Sequence, residues 1–266
     1  PLGCEGIRHG LASANMAAIA IVEYLEGQKS HLRGYSKELK SYFVSPIAYI
    51  VIAVFVGFLA WQFFFNQEFF IYNKAELHRG LFFRLERVLI FLVPLIGMRL
   101  WSSEYFGGTI ETLMTLPLHT GSVVLGKFFA ALTLIFVCFL GSAGLPITVA
   151  QLGELDWGPV IGGYLGAFLF SAALLALSLW VSSLTRHQII AALVTCLLGL
   201  AFVTMYEVAD KVGGGLGAVF EQLSLASHYQ AMGRGVIDLR DVVFFLSFTV
   251  FFLYLNAQVV ENRRYR

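Results

Sequence analysis

Six apolar stretches punctuate this 266-residue chain, at Ile47–Phe65, Leu81–Leu100, Val123–Gln151, Pro159–Val181, Gln188–Tyr206 and Val242–Val260. A helix needs about 20 residues to cross roughly 30 Å of hydrocarbon, and each block meets or nearly meets that length. A soluble fold with the same content would interrupt such blocks with polar faces. Only 13% of the residues are charged and 58% are hydrophobic, whereas a soluble domain carries about 25% charged residues. The chain therefore reads as an all-α membrane protein with six transmembrane helices. The second block is the least regular, because Arg84, Glu86 and Arg87 occupy its first half and Pro94 its second. Its outer turns are expected to project beyond the hydrocarbon, with Arg84 and Arg87 in water or paired with Glu86.

The formal net charge of +1 points to no nucleic-acid partner, so only the placement of charge between the blocks is informative. Six spans put both termini on one side. That side collects ten basic residues: Lys29, Arg33, Lys37, Lys40, Arg99, Lys127, Arg186, Arg263, Arg264 and Arg266. The opposite side collects seven, namely Lys74, Arg79, Arg84, Arg87, Lys211, Arg234 and Arg240. The excess assigns both termini to the cytosol. Lys127, at the entrance of the third span, is expected to snorkel to the cytosolic headgroups.

Between and before the spans, three segments carry structure of their own. Residues 1–30 read as a cytosolic tail of unassigned role, since their apolar patch, Met16–Val22, is too short to span. Residues 31–266 form the membrane domain. Just before the first span, Leu39, Tyr42 and Phe43 share one helical face and Lys37 and Lys40 another. This pattern fits an interfacial amphipathic helix ended by Ser45-Pro46, or an ordinary flanking turn. On the outer side, Gly213-Gly214-Gly215-Leu216-Gly217 precedes a semi-apolar stretch, Ala218–Met232. That stretch suits a re-entrant or interfacial helix, or a solvated loop.

Chemistry within the chain is not supported. Ion-coupled carriers and intramembrane enzymes need ionisable groups near the bilayer centre, and the spans supply Gln62, Ser171, Ser178, Thr195, Thr204, Asn256 and Gln258 instead. The six histidines are scattered among loops and the three cysteines form no C-x-x-C pair, so neither a metal site nor a disulfide framework is expected. Gly121-Ser122-Val123-Val124-Leu125-Gly126-Lys127 matches half of a phosphate-binding loop. Position 128, however, is Phe where Mg²⁺ needs Ser or Thr, and no strand precedes it. No cofactor is expected in this chain, and any energy for transport must arrive from elsewhere.

The loop after the second block is the most informative stretch. Thr109 can cap a short helix with Ile110, Leu113 and Met114 on one face and Glu111 on another, until Pro117 stops it. Glu104 and Glu111 lie beside an anionic leaflet that favours basic residues, which makes the segment a handle for a soluble partner or else a solvated connector. The run Met98-Arg99-Leu100-x-x-x-Glu104-x-x-x-Gly108-Thr109-Ile110-Glu111-x-Leu113-x-Thr115-Leu116-Pro117, followed by Val124-Leu125-Gly126-Lys127-Phe128, resembles the hallmark of type-2 ABC exporter permeases. It is closest to the gliding-motility (GldF-like) subgroup. Tyr42-Phe43-x-Ser45-Pro46, Leu155-Asp156-Trp157-Gly158, Gly162-Gly163-Tyr164-Leu165-Gly166 and Ser182-Ser183-Leu184-Thr185 resemble it too, in the right order from about Gly34 onward.

The resemblance implies an elbow helix containing Lys37, Leu39, Lys40, Tyr42 and Phe43, and a cytosolic coupling helix between spans two and three. It also implies short extracellular helices before span six. By the same likeness, Glu104, Gly108, Thr109 and Glu111 contact an ABC ATPase subunit dimer, which is a separate polypeptide holding ATP and Mg. A second permease copy or a related permease completes the pathway in the bacterial inner membrane. An ATPase-driven envelope scaffold, and less readily an ion-coupled carrier, are the rival readings. A fold-level likeness does not name the cargo.

Overall fold

The computed structural model describes residues 46–66, 82–108, 110, 120–152 and 155–264. The tail, the elbow residues Lys37, Leu39, Lys40, Tyr42 and Phe43, and the loop residues Thr109 and Glu111 lie outside the described residues. Helices α1 (Pro46–Asn66), α2 (Phe83–Gly97), α3 (Arg99–Gly107), α4 (Thr120–Ser142) and α5 (Gly144–Leu152) are followed by α6 (Trp157–Leu184), α7 (Gln188–Val212), α8 (Gly214–Leu223), α9 (Leu225–Gly233) and α10 (Leu239–Arg264). Among the described residues there is no strand.

Among the described residues four helical runs are long and apolar enough to cross a membrane: Thr120–Gln151, Trp157–Leu184, Gln188–Ala209 and Leu239–Arg263. Helices α1 and α2 fall on the first two apolar blocks. The described apolar stretch of α1, Tyr49–Gln62, and the 15 residues of α2 are shorter than a full span. At 1.5 Å per residue α2 alone reaches only about 22 Å. The block predicted as Leu81–Leu100 does not end as one helix. It passes through Met98, which keeps helical dihedrals of φ −57° and ψ −29°, into α3. The third block departs from expectation as well, because a turn at Ala143 divides it into α4 and α5. Pro146 accounts for the break, since it has no amide to return to Ser142.

Helix α6 is the centre of the bundle. Its apolar window is 72% buried, against 22% for both α7 and α10, so α6 is enclosed by protein while the other two turn apolar faces outward. The reason lies in side-chain size. Ala167, Ala173 and Ala176 are fully buried and Ser171, Ser178, Ser182 and Ser183 equally so; small residues let backbones approach closely. Gly97 of α2 lies where a Cβ would collide with Ser178, and a Cβ on Gly163 would come within 2.6 Å of the Phe82 ring. Asp156 starts the helix by accepting the Gly158 amide at 3.0 Å, the N-cap arrangement that satisfies a helix's first donors.

The segment after α7 is two short helices, which decides between the loop and helix readings of Gly213–Met232 in favour of helix. Gly213, at φ +61°, makes the reversal that only glycine adopts freely. Helix α9 then docks on α6: Leu225, Tyr229 and Met232 are buried, and Gly162 and Gly166 face the Met232 backbone and side chain.

Candidate functional site

Polar and charged groups converge where α3 leaves α2. Helix junctions leave amides and carbonyls without regular partners, and here a side chain from α6 supplies them. Ser182 Oγ accepts the Trp101 and Ser102 amides at 3.2 Å each and donates to the Met98 carbonyl at 2.9 Å. The Ser102 hydroxyl lies 3.3 Å from Ser182 Oγ. Both Trp101 and Ser182 are fully buried, so the joint is closed to solvent and α3 is held in one direction relative to α6.

Helix α4 makes the second attachment. Lys127 Nζ forms an ion pair with Glu104 Oε1 and sits 5.1 Å above the Trp101 ring, within range of cation–π attraction. Lys127 is 5% exposed. It therefore does not snorkel to headgroups as expected: a carboxylate and an aromatic face within reach solvate the ammonium from inside the protein. Its stretch is helical from Thr120 onward, which leaves Gly121–Lys127 no loop with which to cradle a phosphate.

The third attachment comes from the end of α10. Arg263 donates from Nη2 to the Leu184 carbonyl at 3.1 Å, and its guanidinium lies 4.8 Å from the Tyr105 ring centre. Leu184 is the last residue of α6, so Arg263 satisfies an orphan carbonyl and touches α3 in the same reach. Burial pushes the Tyr105 phenol above its ordinary value, with the Arg263 charge opposing. Tyr105 is thus neutral at physiological pH.

The expected site residues separate accordingly. Glu104 is present but turned inward, on Lys127. Gly108, at φ +67°, ends α3 by returning its amide to the Glu104 carbonyl, a helix-terminating role. Thr109 and Glu111 lie outside the described residues. Sequence reasoning missed Trp101, Tyr105, Ser182 and Arg263 as a group. Their one signal is adjacency: Trp101 and Tyr105 flank Glu104 in the informative loop, and Ser182 and Arg263 close two apolar blocks.

The model of the ABC-2 family transporter protein matches residues 11–265. The chain belongs to the ABC-2 transporter family. It is accordingly a multi-pass membrane protein of the kind that serves ABC transporters. No curated protein matches the chain. For an ABC-2 protein the convergence at α3 has a natural place, because one short helix is fastened to three longer ones at their common end.

Proposed function

We propose that the chain is the permease subunit of an ATP-binding cassette exporter, working with a separate ATPase that holds ATP and Mg. In this reading α1 and α2 complete six spans with α4–α5, α6, α7 and α10. Both ends face the cytosol of a bacterial inner membrane, and α8 and α9 lie outside. A second permease copy or a related permease forms the other half, and the chain resembles the gliding-motility subgroup. Gly108, Thr109 and Glu111 belong to the ATPase-facing coupling segment, while Glu104 acts by holding α3 in place.

The observation that carries the reading is the triple attachment of α3. Motion applied at Gly108 passes at once to α6 through Ser182, to α4 through the Glu104–Lys127 pair and to α10 through Arg263. A solvated connector has no need of such fastening. The test is purification of the chain with its bound partners from native membranes. Mass spectrometry should identify a subunit with a complete phosphate-binding loop, and Thr109→Ala with Glu111→Ala should weaken its retention at unchanged permease yield. Recovery of the chain without any ATPase, under conditions that keep the permease folded, would overturn the reading. Proteoliposomes containing the complex then separate export from a mechanical role in the envelope.

A further inference from the structure

At the opposite end of the bundle from α3, His228 of α9 joins two other helices. Its Nδ1 lies 2.6 Å from Asp241 Oδ1 in the first turn of α10, and its Nε2 lies 3.1 Å from the Gln222 carbonyl oxygen in α8. A carboxylate and a peptide carbonyl are both acceptors. A neutral imidazole carries one N–H and can satisfy one of them; the imidazolium carries two and satisfies both. The ring is also fixed in orientation, stacked on Phe244 with centroids 4.1 Å apart.

Asp241 reinforces the demand for charge. It is 6% exposed, and its second oxygen, Oδ2, has no donor among the described residues. A buried carboxylate left without a counter-charge is costly. The neighbouring helices offer other ionisable groups: Glu221 on α8, Asp238 and Arg240 at the start of α10, Glu86 and Arg87 on α2, and Glu207 and Lys211 on α7. Among the described residues Asp241 is the one within hydrogen-bond distance of the ring, while Glu86 meets Gln230 instead. A cavity of about 520 Å³, lined by Gln222, His228, Asp238, Arg240, Asp241 and Phe244, gives the pair a route to protons.

We propose that His228 is a proton-binding site that fastens α8 and α9 to the start of α10 when charged and lets go of Gln222 when neutral, leaving α8 tied to α9 by the Ser227 hydroxyl on the Glu221 carbonyl and free to swing about that bond. Loss of the Nε2 proton turns a lone pair toward the Gln222 carbonyl, and the contact becomes repulsive while the Asp241 bond remains. The doubly protonated ring therefore closes the latch and the neutral ring opens it, so acid favours the closed form. The inference does not depend on the ATPase reading, because it concerns the other end of the bundle.

The test is a distance across the latch. Nitroxide labels at Val219 on α8 and Val243 on α10, both exposed, are placed in the whole chain with Cys4 and Cys138 replaced by Ala and Cys196 by Ser, which keeps a donor for Ile90, in nanodiscs. Pulsed electron resonance at pH 5.5 should give one short distribution, and at pH 8 a second, longer component holding at least a third of the spins. His228→Gln should abolish the pH dependence, and His228→Lys, charged at both pH values, should keep the short distribution throughout. Identical wild-type distributions at the two pH values would overturn the proposal without reliance on any variant. A pH shift that persists in His228→Gln would overturn it equally.

Discussion

The Tyr164 hydroxyl of α6 donates to the Ser142 carbonyl at 3.1 Å, and that carbonyl is the one Pro146 leaves without an amide. The same arrangement recurs in α2. Pro94 has no amide for Ile90, and the Cys196 thiol of α7 reaches the Ile90 carbonyl at 3.5 Å. An unpaired carbonyl in hydrocarbon costs several kcal/mol, so each proline in a membrane helix calls for a donor from a neighbour. Tyr164→Phe should destabilise by about 1 kcal/mol. In a Pro146→Ala background, where residue 146 regains its amide, the same change should cost less than half as much. Thermal unfolding of the four proteins in one detergent checks the cycle, and equal costs in both backgrounds would remove the link to Pro146.

The joint at Met98 makes a sharper forecast. Ser182→Ala deletes an acceptor for two buried amides and a donor to one carbonyl, at a cost of about 1–3 kcal/mol. Ser183→Ala is the control, since among the described residues the Ser183 hydroxyl bonds within its own helix, to the Trp180 carbonyl at 2.6 Å, and should cost far less. If the two substitutions shift the unfolding midpoint alike, Ser182 is not the fastener described.

For the ion pair, removing one charge is worse than removing both. Lys127→Ala takes away the counter-charge that faces Glu104 Oε1 and should destabilise by about 3 kcal/mol, the low end for a buried pair, because the Glu104 side chain is 21% exposed. Glu104→Gln combined with Lys127→Met should recover most of that loss. Yield and melting temperature in detergent read the difference; a double variant no better than the single one would show that the pair's charge is not what matters.

Docking of α9 depends on two glycines of α6. A Cβ at Gly162 would meet the Met232 carbonyl, whereas one at Gly126 would meet nothing within 4 Å. Gly162→Ala should therefore destabilise by about 1–3 kcal/mol through overpacking, while Gly126→Ala should stabilise by up to about 1 kcal/mol through helix propensity. Protease or maleimide access to α9 should rise in the first variant alone. Unchanged access would mean that α9 is held elsewhere.

Sidedness follows from the six-span reading. A reporter fused after Arg266 should read cytosolic and one inserted near Gly215 should read external. Matching signals from the two fusions would rule out six spans.

The membrane character and most span positions were legible because the apolar block is a one-dimensional signal, set by bilayer thickness. Helices α8 and α9 were half legible: the glycine run from Gly213 preceded a stretch that suited a helix or a loop, but whether Ala218–Met232 coils up depends on the shelf that Gly162 and Gly166 provide, and such a shelf is a matter of packing. The α3 site was less legible still. Glu104 stood out as an acid beside an anionic leaflet, yet its partner Lys127 is 23 residues away and was assigned to the headgroups by a rule that holds only when no closer counter-charge exists. Ser182 and Arg263 carried no local sign beyond closing two apolar blocks, because both act on backbone groups of other helices. The prolines were visible from the start; the donors they require were not.

Arg263 reaches Leu184 and Tyr105 from the last described turn of α10, and this has a practical consequence for anyone handling the protein. A deletion that begins at Arg263, or a rigid fusion that drags it outward, uncaps α6 and strips the guanidinium from α3. Affinity tags on this end therefore belong behind a flexible spacer of glycine and serine. A preparation whose activity depends on spacer length is reporting on that one guanidinium rather than on the bulk of the tag.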